Sequence, residues 1–276
     1  MTKNVKIGML LLAIVVLGVC AKKEIIEYVF AANKNPTRVE ETQAIEQTNS
    51  KGETEGRIEQ QEVVNPIYIV QNKIFHNGNK EKKQIALTFD DGPSKYYTEK
   101  VLDILKQYEV KATFFVIGRH IERYPQELVL MSQQGHEIAN HSFNHKNFNK
   151  LTKAEIEEEL IQTQKILDDT IGNHTNIFRP PYGAMGKNSL EAVNALGYNV
   201  VNWSVDTRDW SGIPVENIME KVKQQLHSGG IILMHSSGKK KAMENMLIAL
   251  PQIIEWAKMQ GYEFTTVSQL LEFQGI

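Results

Sequence analysis

Two carboxylates stand side by side in Thr88-Phe89-Asp90-Asp91-Gly92-Pro93, directly after the mainly apolar run Gln84-Ile85-Ala86-Leu87. The run reads as a buried strand, and Gly92-Pro93 breaks it. The carboxyl end of a strand is where α/β folds bind ligands and do chemistry. Asp is a poor strand former, so the pair is either a turn, which all four residues of Asp-Asp-Gly-Pro favour, or a functional site. Further on, His141-Ser142-Phe143-Asn144-His145 sets two imidazoles four residues apart. On one helical turn they would face the same side and could share a metal ion; alone, they read as ordinary polar loop residues.

Asp91 with His141 and His145 makes a two-His, one-carboxylate set. Such a set suits Zn²⁺ or another divalent first-row ion and leaves positions open for water and substrate. Asp90 then stays free as a base. His235 is a natural acid, and Asp209 could raise its pKa by stabilising the imidazolium. Arg179 could hold the Asp90 carboxylate by a bidentate pair. Each also has a plainer reading: Arg179 as a structural ion pair, Trp210 as a core aromatic, His235 as a satisfied buried histidine.

The elements that must position these groups alternate steadily. Strands are expected at Ile85–Phe89, Ala112–Ile117, His136–Asn140, Asn176–Arg179, Asn199–Ser204, Gly230–His235 and Glu263–Thr266. Between them the apolar periodicity predicts helices at about Thr98–Tyr108, Ile121–Gln134, Thr152–Thr170, Lys187–Ala195, Val215–His227 and Lys241–Gln260, with a short helix at Ser268–Phe273. Thr152-Lys153-Ala154-Glu155 is a capping box, and Gly135 and Gly172 follow helices as C-terminal caps do. Tyr68-Ile69-Val70 and Ile74-Phe75-His76 are expected to form a hairpin. Alternation at this spacing means parallel pairing with right-handed crossovers. About seven units suggest a distorted (β/α) barrel, whose strand ends would bring five groups onto one face.

Thr88-Phe89-Asp90-Asp91-Gly92-Pro93, His141-Ser142-Phe143-Asn144-His145, Arg179-Pro180-Pro181-Tyr182-Gly183, Asp206-Thr207-Arg208-Asp209-Trp210 and Leu233-Met234-His235 resemble, in order and spacing, the five motifs of the polysaccharide deacetylases of carbohydrate esterase family 4. The resemblance covers about Gln84 to Thr266. It implies a distorted (β/α) barrel that removes N-acetyl groups from glycans with a divalent metal, Zn²⁺ first and Co²⁺ or Ni²⁺ as alternatives. It implies Asp90 as catalytic base, Asp91, His141 and His145 as metal ligands, and His235 as acid tuned by Asp209. Arg179 matches the partner of the base. Tyr182 matches the residue whose backbone N–H stabilises the oxyanion. Pro180, Tyr182, Trp210 and Leu233 match the substrate groove. The intact Asp-Asp pair favours N-acetylglucosamine over the muramic sugar of peptidoglycan. Xylan, chitin-like oligomers and exopolysaccharide are the alternative substrates, and a non-catalytic glycan-binding module on a degenerate barrel is the rival class.

The chain has 276 residues and a net charge of -2, which gives no support for nucleic-acid binding. Cys20 is its single cysteine, which rules out an intramolecular disulfide and a thiolate-based zinc site. Near the start, the apolar run Ile7–Ala21 lies between Lys3, Lys6 and Lys22-Lys23, the pattern of a secretory signal or signal anchor. Leu17-Gly18-Val19-Cys20 loosely resembles a lipoprotein box, and Val29-Phe30-Ala31 an ordinary cleavage site. Residues 1–32 are therefore read as an export and membrane-anchor segment. Residues 33–65, polar and poor in large apolar side chains, are read as a disordered linker. Residues 66–276 are read as the catalytic domain, expected to act as a monomer on an acetylated glycan outside the cell membrane.

Overall fold

The computed structural model describes residues 72–273 and, before them, the backbone of β1 (Glu40–Ile45) and β2 (Arg57–Glu62). The chain divides into two compact units, Met1–Ile67 and Tyr68–Ile276. In the first, β1 and β2 pair antiparallel, from Glu40 opposite Glu62 to Ile45 opposite Arg57. This ladder stands inside residues 33–65, the stretch read from sequence as a disordered linker. Strands so close in sequence lose little chain entropy on meeting, so even polar segments can pair. The apolar run Ile7–Ala21, the rest of residues 33–65 and Tyr68-Ile69-Val70 lie outside the described residues.

In the second unit, strands and helices alternate. β3 (Ile74–Phe75) is followed by β4 (Gln84–Gly92), α1 (Tyr97–Gln107), β5 (Thr113–Val116), α2 (Gly118–Arg123), α3 (Pro125–Gln133), β6 (Glu137–Asn140) and α4 (Lys153–Ile171). Next come β7 (Ile177–Phe178), α5 (Lys187–Ala195), β8 (Asn199–Val201), β9 (Val205–Asp206), α6 (Val215–Gln225) and β10 (Ile231–His235). The last elements are α7 (Lys240–Met259), β11 (Glu263–Thr265) and α8 (Val267–Leu271). The strands pair in parallel in the order β3-β8-β7-β6-β5-β4-β10-β9, with β11 also beside β4. The sheet curls into a distorted barrel. Its seam is stitched by an antiparallel bridge between Asn77 and Gly230 and by Gly78 N–H donating to the Gly229 carbonyl at 2.7 Å.

Two expectations change. The strand expected over Asn199–Ser204 ends at Val201, and the chain resumes as β9 on a different neighbour, β10. The helix expected over Ile121–Gln134 is two helices. Pro125 has no N–H to donate and its ring excludes a helical residue before it, so Tyr124 turns to φ -135, ψ 56. Ile74–Phe75 runs parallel to β8, while Tyr68-Ile69-Val70, the other half of the expected hairpin, lies outside the described residues. There Phe75 joins the inner apolar cluster and meets Phe273 edge-on at 5.0 Å.

β4 shows how the core is divided. Ile85, Leu87 and Phe89 pack outward among helix residues such as Val101, Leu105 and Ile253. Ala86 packs inward with Phe115, Ala139, Ile177, Val201 and Ile231. This is the period of two along a strand buried on both faces. At the amino ends of the strands, Val267 and Leu270 of α8 fill the interior. The Glu137 carboxylate accepts the Val267 N–H at 3.0 Å and fixes that plug. With one end filled, the chemistry is left to the other.

Candidate active site

Continuing the inward series Ala86, Thr88, Asp90 leads directly to the site. Thr88 Oγ1 accepts from Arg179 Nη1 at 2.8 Å, and the same nitrogen donates to Asp90 Oδ1 at 2.7 Å. Arg179 Nε and Nη2 donate to the carbonyls of Val201 and Asn202 at 3.2 and 3.1 Å. The guanidinium lies over the Phe115 ring at 3.9 Å and is fully buried. A buried cation needs such partners, and Asp90, 4% exposed, supplies the counter-charge. The contact to Asp90 uses one guanidinium nitrogen rather than the expected bidentate pair, because the other donors serve the backbone of the strand segment after β7.

Asp91 should point outward by the same alternation. It does not, because its backbone is left-handed at φ 68, where the register between β4 and β5 shifts. Its carboxylate swings back over the barrel mouth. Asp91 Oδ1 then lies 3.5 Å from His141 Nε2 and 3.2 Å from His145 Nε2. The histidines reach this point from a loop rather than the expected helical turn. Ser142 and His145 are left-handed, at φ 70 and 58. His141 Nδ1–H donates to the Arg179 carbonyl at 2.7 Å, which leaves Nε2 with its lone pair toward Asp91.

These three side chains form a set whose ligand atoms lie within 4.8 Å of one another. Asp91 Oδ1 is buried and accepts no hydrogen bond from the protein. Burial pushes the Asp91 carboxyl up, yet the His141 imidazole beside it, with His235 and His145, holds it well below the usual carboxylate range. Burial and the His141 imidazole push His145 down to about 4, so its ring is neutral near pH 7. One carboxylate and two imidazoles, converging on a buried oxygen with no protein hydrogen bond, fit a divalent cation.

On the far side of β4, β10 places His235 opposite Asp90 in the ladder. Asp209 Oδ1 accepts from His235 Nδ1–H at 2.8 Å, and Asp209 Oδ2 accepts the His235 backbone N–H at 2.8 Å. Burial alone would lower the His235 pKa. The Asp209 charge and hydrogen bond, with Asp90 and Asp91 behind them, overcome it and push the imidazole up to about 9. Tyr182 sits at φ 63 in a short turn, Pro181–Gly183, 68% exposed, with its ring 4.7 Å from that of His145. Trp210 is half exposed, and its backbone N–H donates to Asp209 Oδ1 at 2.8 Å. Pro180 and Leu233 are buried, Leu233 to 3% exposure, so they stand beneath the mouth rather than on it.

Sequence reasoning missed the supports. Glu159 on α4, 2% exposed, accepts the Asn144 N–H at 2.6 Å and the Asn144 side chain at 2.9 Å, while Lys146 pairs with it at 3.0 Å. Ser142 Oγ accepts the His145 N–H at 3.0 Å. A Glu on the buried face of an otherwise amphipathic helix was the available signal for the first; Ser142 lay between the histidines in plain view.

Comparison with known proteins agrees with this geometry. The sequence profile of the family described as polysaccharide deacetylase matches residues 77–201. A peptidoglycan-N-acetylglucosamine deacetylase of Bacillus cereus is 36% identical over 71% of this chain and 71% of its own. The crystal structure of the Bc1960 peptidoglycan N-acetylglucosamine deacetylase superposes with a TM-score of 0.70 at 35% identity, over 73% of this chain and 94% of that one. BA3943 of Bacillus anthracis, a pseudoenzyme of carbohydrate esterase family 4, superposes with a TM-score of 0.68 at 27% identity, over 73% of this chain and 69% of its own. With its barrel, its Asp-His-His cluster and these relatives in agreement, the chain belongs to the polysaccharide deacetylases, and it is a deacetylase enzyme.

Proposed function

We propose that this enzyme hydrolyses the N-acetyl group of N-acetylglucosamine units in peptidoglycan, releasing acetate and a free sugar amine. One observation carries the reading. The Asp91–His141–His145 cluster, the Arg179-held Asp90 and the Asp209-held His235 all open at the same end of the barrel. Asp91, His141 and His145 would hold a divalent cation, Zn²⁺ before Co²⁺ or Ni²⁺, which when bound would supply Lewis-acid polarisation of the acetamide carbonyl and acidify water there. Asp90 accepts the proton of the attacking water. Its Oδ1 is engaged by Arg179, so Oδ2, 3.8 Å from His141 Nε2, is the free oxygen for that proton. As water oxygen bonds to the carbonyl carbon, the Tyr182 N–H donates to the developing oxyanion. His235, protonated through its pairing with Asp209, gives a proton to the sugar nitrogen as the carbon–nitrogen bond breaks. Tyr182 and Trp210, both exposed beside the site, offer faces for the glycan, with Pro180 and Leu233 shaping the floor.

Support for the glucosamine unit comes from the intact Asp-Asp pair and from the named activity of the Bacillus cereus relative. We place the enzyme outside the cytoplasmic membrane, tethered by Ile7–Ala21, on the strength of that apolar run and its lysine flanks. The test is acetate release from defined acetylated glycans: peptidoglycan, chitin oligomers and xylan. The expected result is acetate from peptidoglycan in step with new glucosamine amines. New muramic amines, or acetate from xylan alone, would overturn the substrate. Binding without acetate from any glycan would overturn the catalytic reading in favour of a binding module.

A further inference from the structure

Two of the three clustered ligand residues stand on backbone that L side chains rarely adopt. Asp91 is at φ 68 and His145 at φ 58, and Ser142 between the histidines is at φ 70. Such conformations persist only where the surroundings over-determine them. A single element touches both places. The Gly118 and Arg119 N–H groups of α2 donate to the carbonyls of Ser142 and Phe143 at 3.0 and 3.2 Å. A Cβ on Gly118 would stand 2.4 Å from Phe143 Cδ2 and 2.8 Å from Thr163 Oγ1, so this approach needs glycine. The next residue of α2, His120, lies 2.7 Å by its Nδ1 from the Asp91 carbonyl oxygen. A carbonyl can only accept, so Nδ1 carries the hydrogen. The same six-residue helix thus grips the histidine loop by its backbone and Asp91 by a side chain.

We propose that His120 is a positioning residue for the cation site: its Nδ1–H holds the Asp91 peptide in the left-handed conformation that turns the carboxylate toward His141 and His145. The assignment rests on the cation reading of that cluster. His120 acts through Asp91 and has no part in the proton transfers. Removing its hydrogen leaves the Asp91 carbonyl without this donor and lets the peptide relax toward extended geometry, which carries the carboxylate away from the imidazoles.

The test is ion affinity of the metal-stripped full chain, read by Zn²⁺ competition with a chromogenic chelator, beside the melting temperature of the same ion-free samples. His120→Leu removes the donor. His120→Asn puts an amide nitrogen where Nδ1 stood, and His120→Gln puts one near the place of Nε2, out of reach of the carbonyl. His120→Leu and His120→Gln should bind Zn²⁺ roughly 10–100-fold more weakly than wild type, the usual effect of losing a group that orients a ligand. His120→Asn should recover most of that loss. Should His120→Leu fail to fold, the contrast between His120→Asn and His120→Gln decides. Wild-type affinity in His120→Gln would overturn the assignment, as would equal loss in His120→Asn and His120→Gln, or losses that follow the ion-free melting temperatures alone. A wild-type chain that takes up no Zn²⁺ would overturn the cation site itself, and this assignment with it.

Discussion

Asp90 and Asp91 are neighbours with different surroundings, and that difference is testable. Asp90 is held by a buried Arg179, whereas Asp91 Oδ1 has no protein hydrogen bond and two imidazoles nearby. Asp90→Asn should purify with near-stoichiometric ion and lose roughly 10²–10⁴-fold in rate, the range for a general base. Asp91→Asn should purify ion-poor and regain some rate with added Zn²⁺ or Co²⁺. Elemental analysis beside acetate release checks both, and the reverse pattern would swap the roles. His235 gives a pH signature. Its pKa of about 9 lies above the ordinary imidazole value, against the pull of burial, because of Asp209. The stability it contributes is therefore full below about pH 6.5 and is lost as pH rises through about 9, by at most about 3 kcal/mol. Urea unfolding of the ion-free chain across that window should show the decline, and Asp209→Asn should flatten it. The same substitution should move the basic limb of the rate profile to lower pH. These side chains were legible in sequence because chemistry needs their types. Sequence put both aspartates at one site but did not show how neighbours on a strand can face one mouth. That depends on a left-handed Asp91, and alternation along a strand predicts the opposite.

Elements were legible where local chemistry settles them. α4 starts at the capping box Thr152–Glu155, with both reciprocal hydrogen bonds formed, and ends on Gly172 at φ 62. Both ends were readable because caps are local. Thr152→Ala should cost about 1 kcal/mol of stability, measured by denaturant unfolding, with ion affinity unchanged because Glu159 lies about two turns further in. A matching fall in ion affinity would mean that α4 transmits fraying to the histidine loop. The division of α2 from α3 at Pro125 was also written in the chain, and apolar periodicity alone ran across it. The β8–β9 break had no such mark. It follows from barrel closure, as β8 leans on β7 and β9 on β10, and closure is a property of strands far apart in sequence.

At the scale of the molecule, the chain divides into Met1–Ile67 and Tyr68–Ile276, and the barrel with its site lies in the second. A chain starting at Asn33 should be soluble and fully active on small substrates. Loss of folding or activity on that truncation would end the tether proposal. Within the catalytic unit, β4 is paired with β5, β10 and β11, and it carries both aspartates at its end. A strand enclosed in this way has no edge from which to fray. In deuterated water, the amides of Ile85 to Phe89 should exchange only through global opening, while those of the short β3 exchange earlier by local opening. Earlier exchange along β4 would contradict this. Heat should then find no intermediate that keeps the barrel but has shed its aspartates. The two aspartates are fastened to the part of the protein expected to come undone last, so inactivation and melting should share one clock.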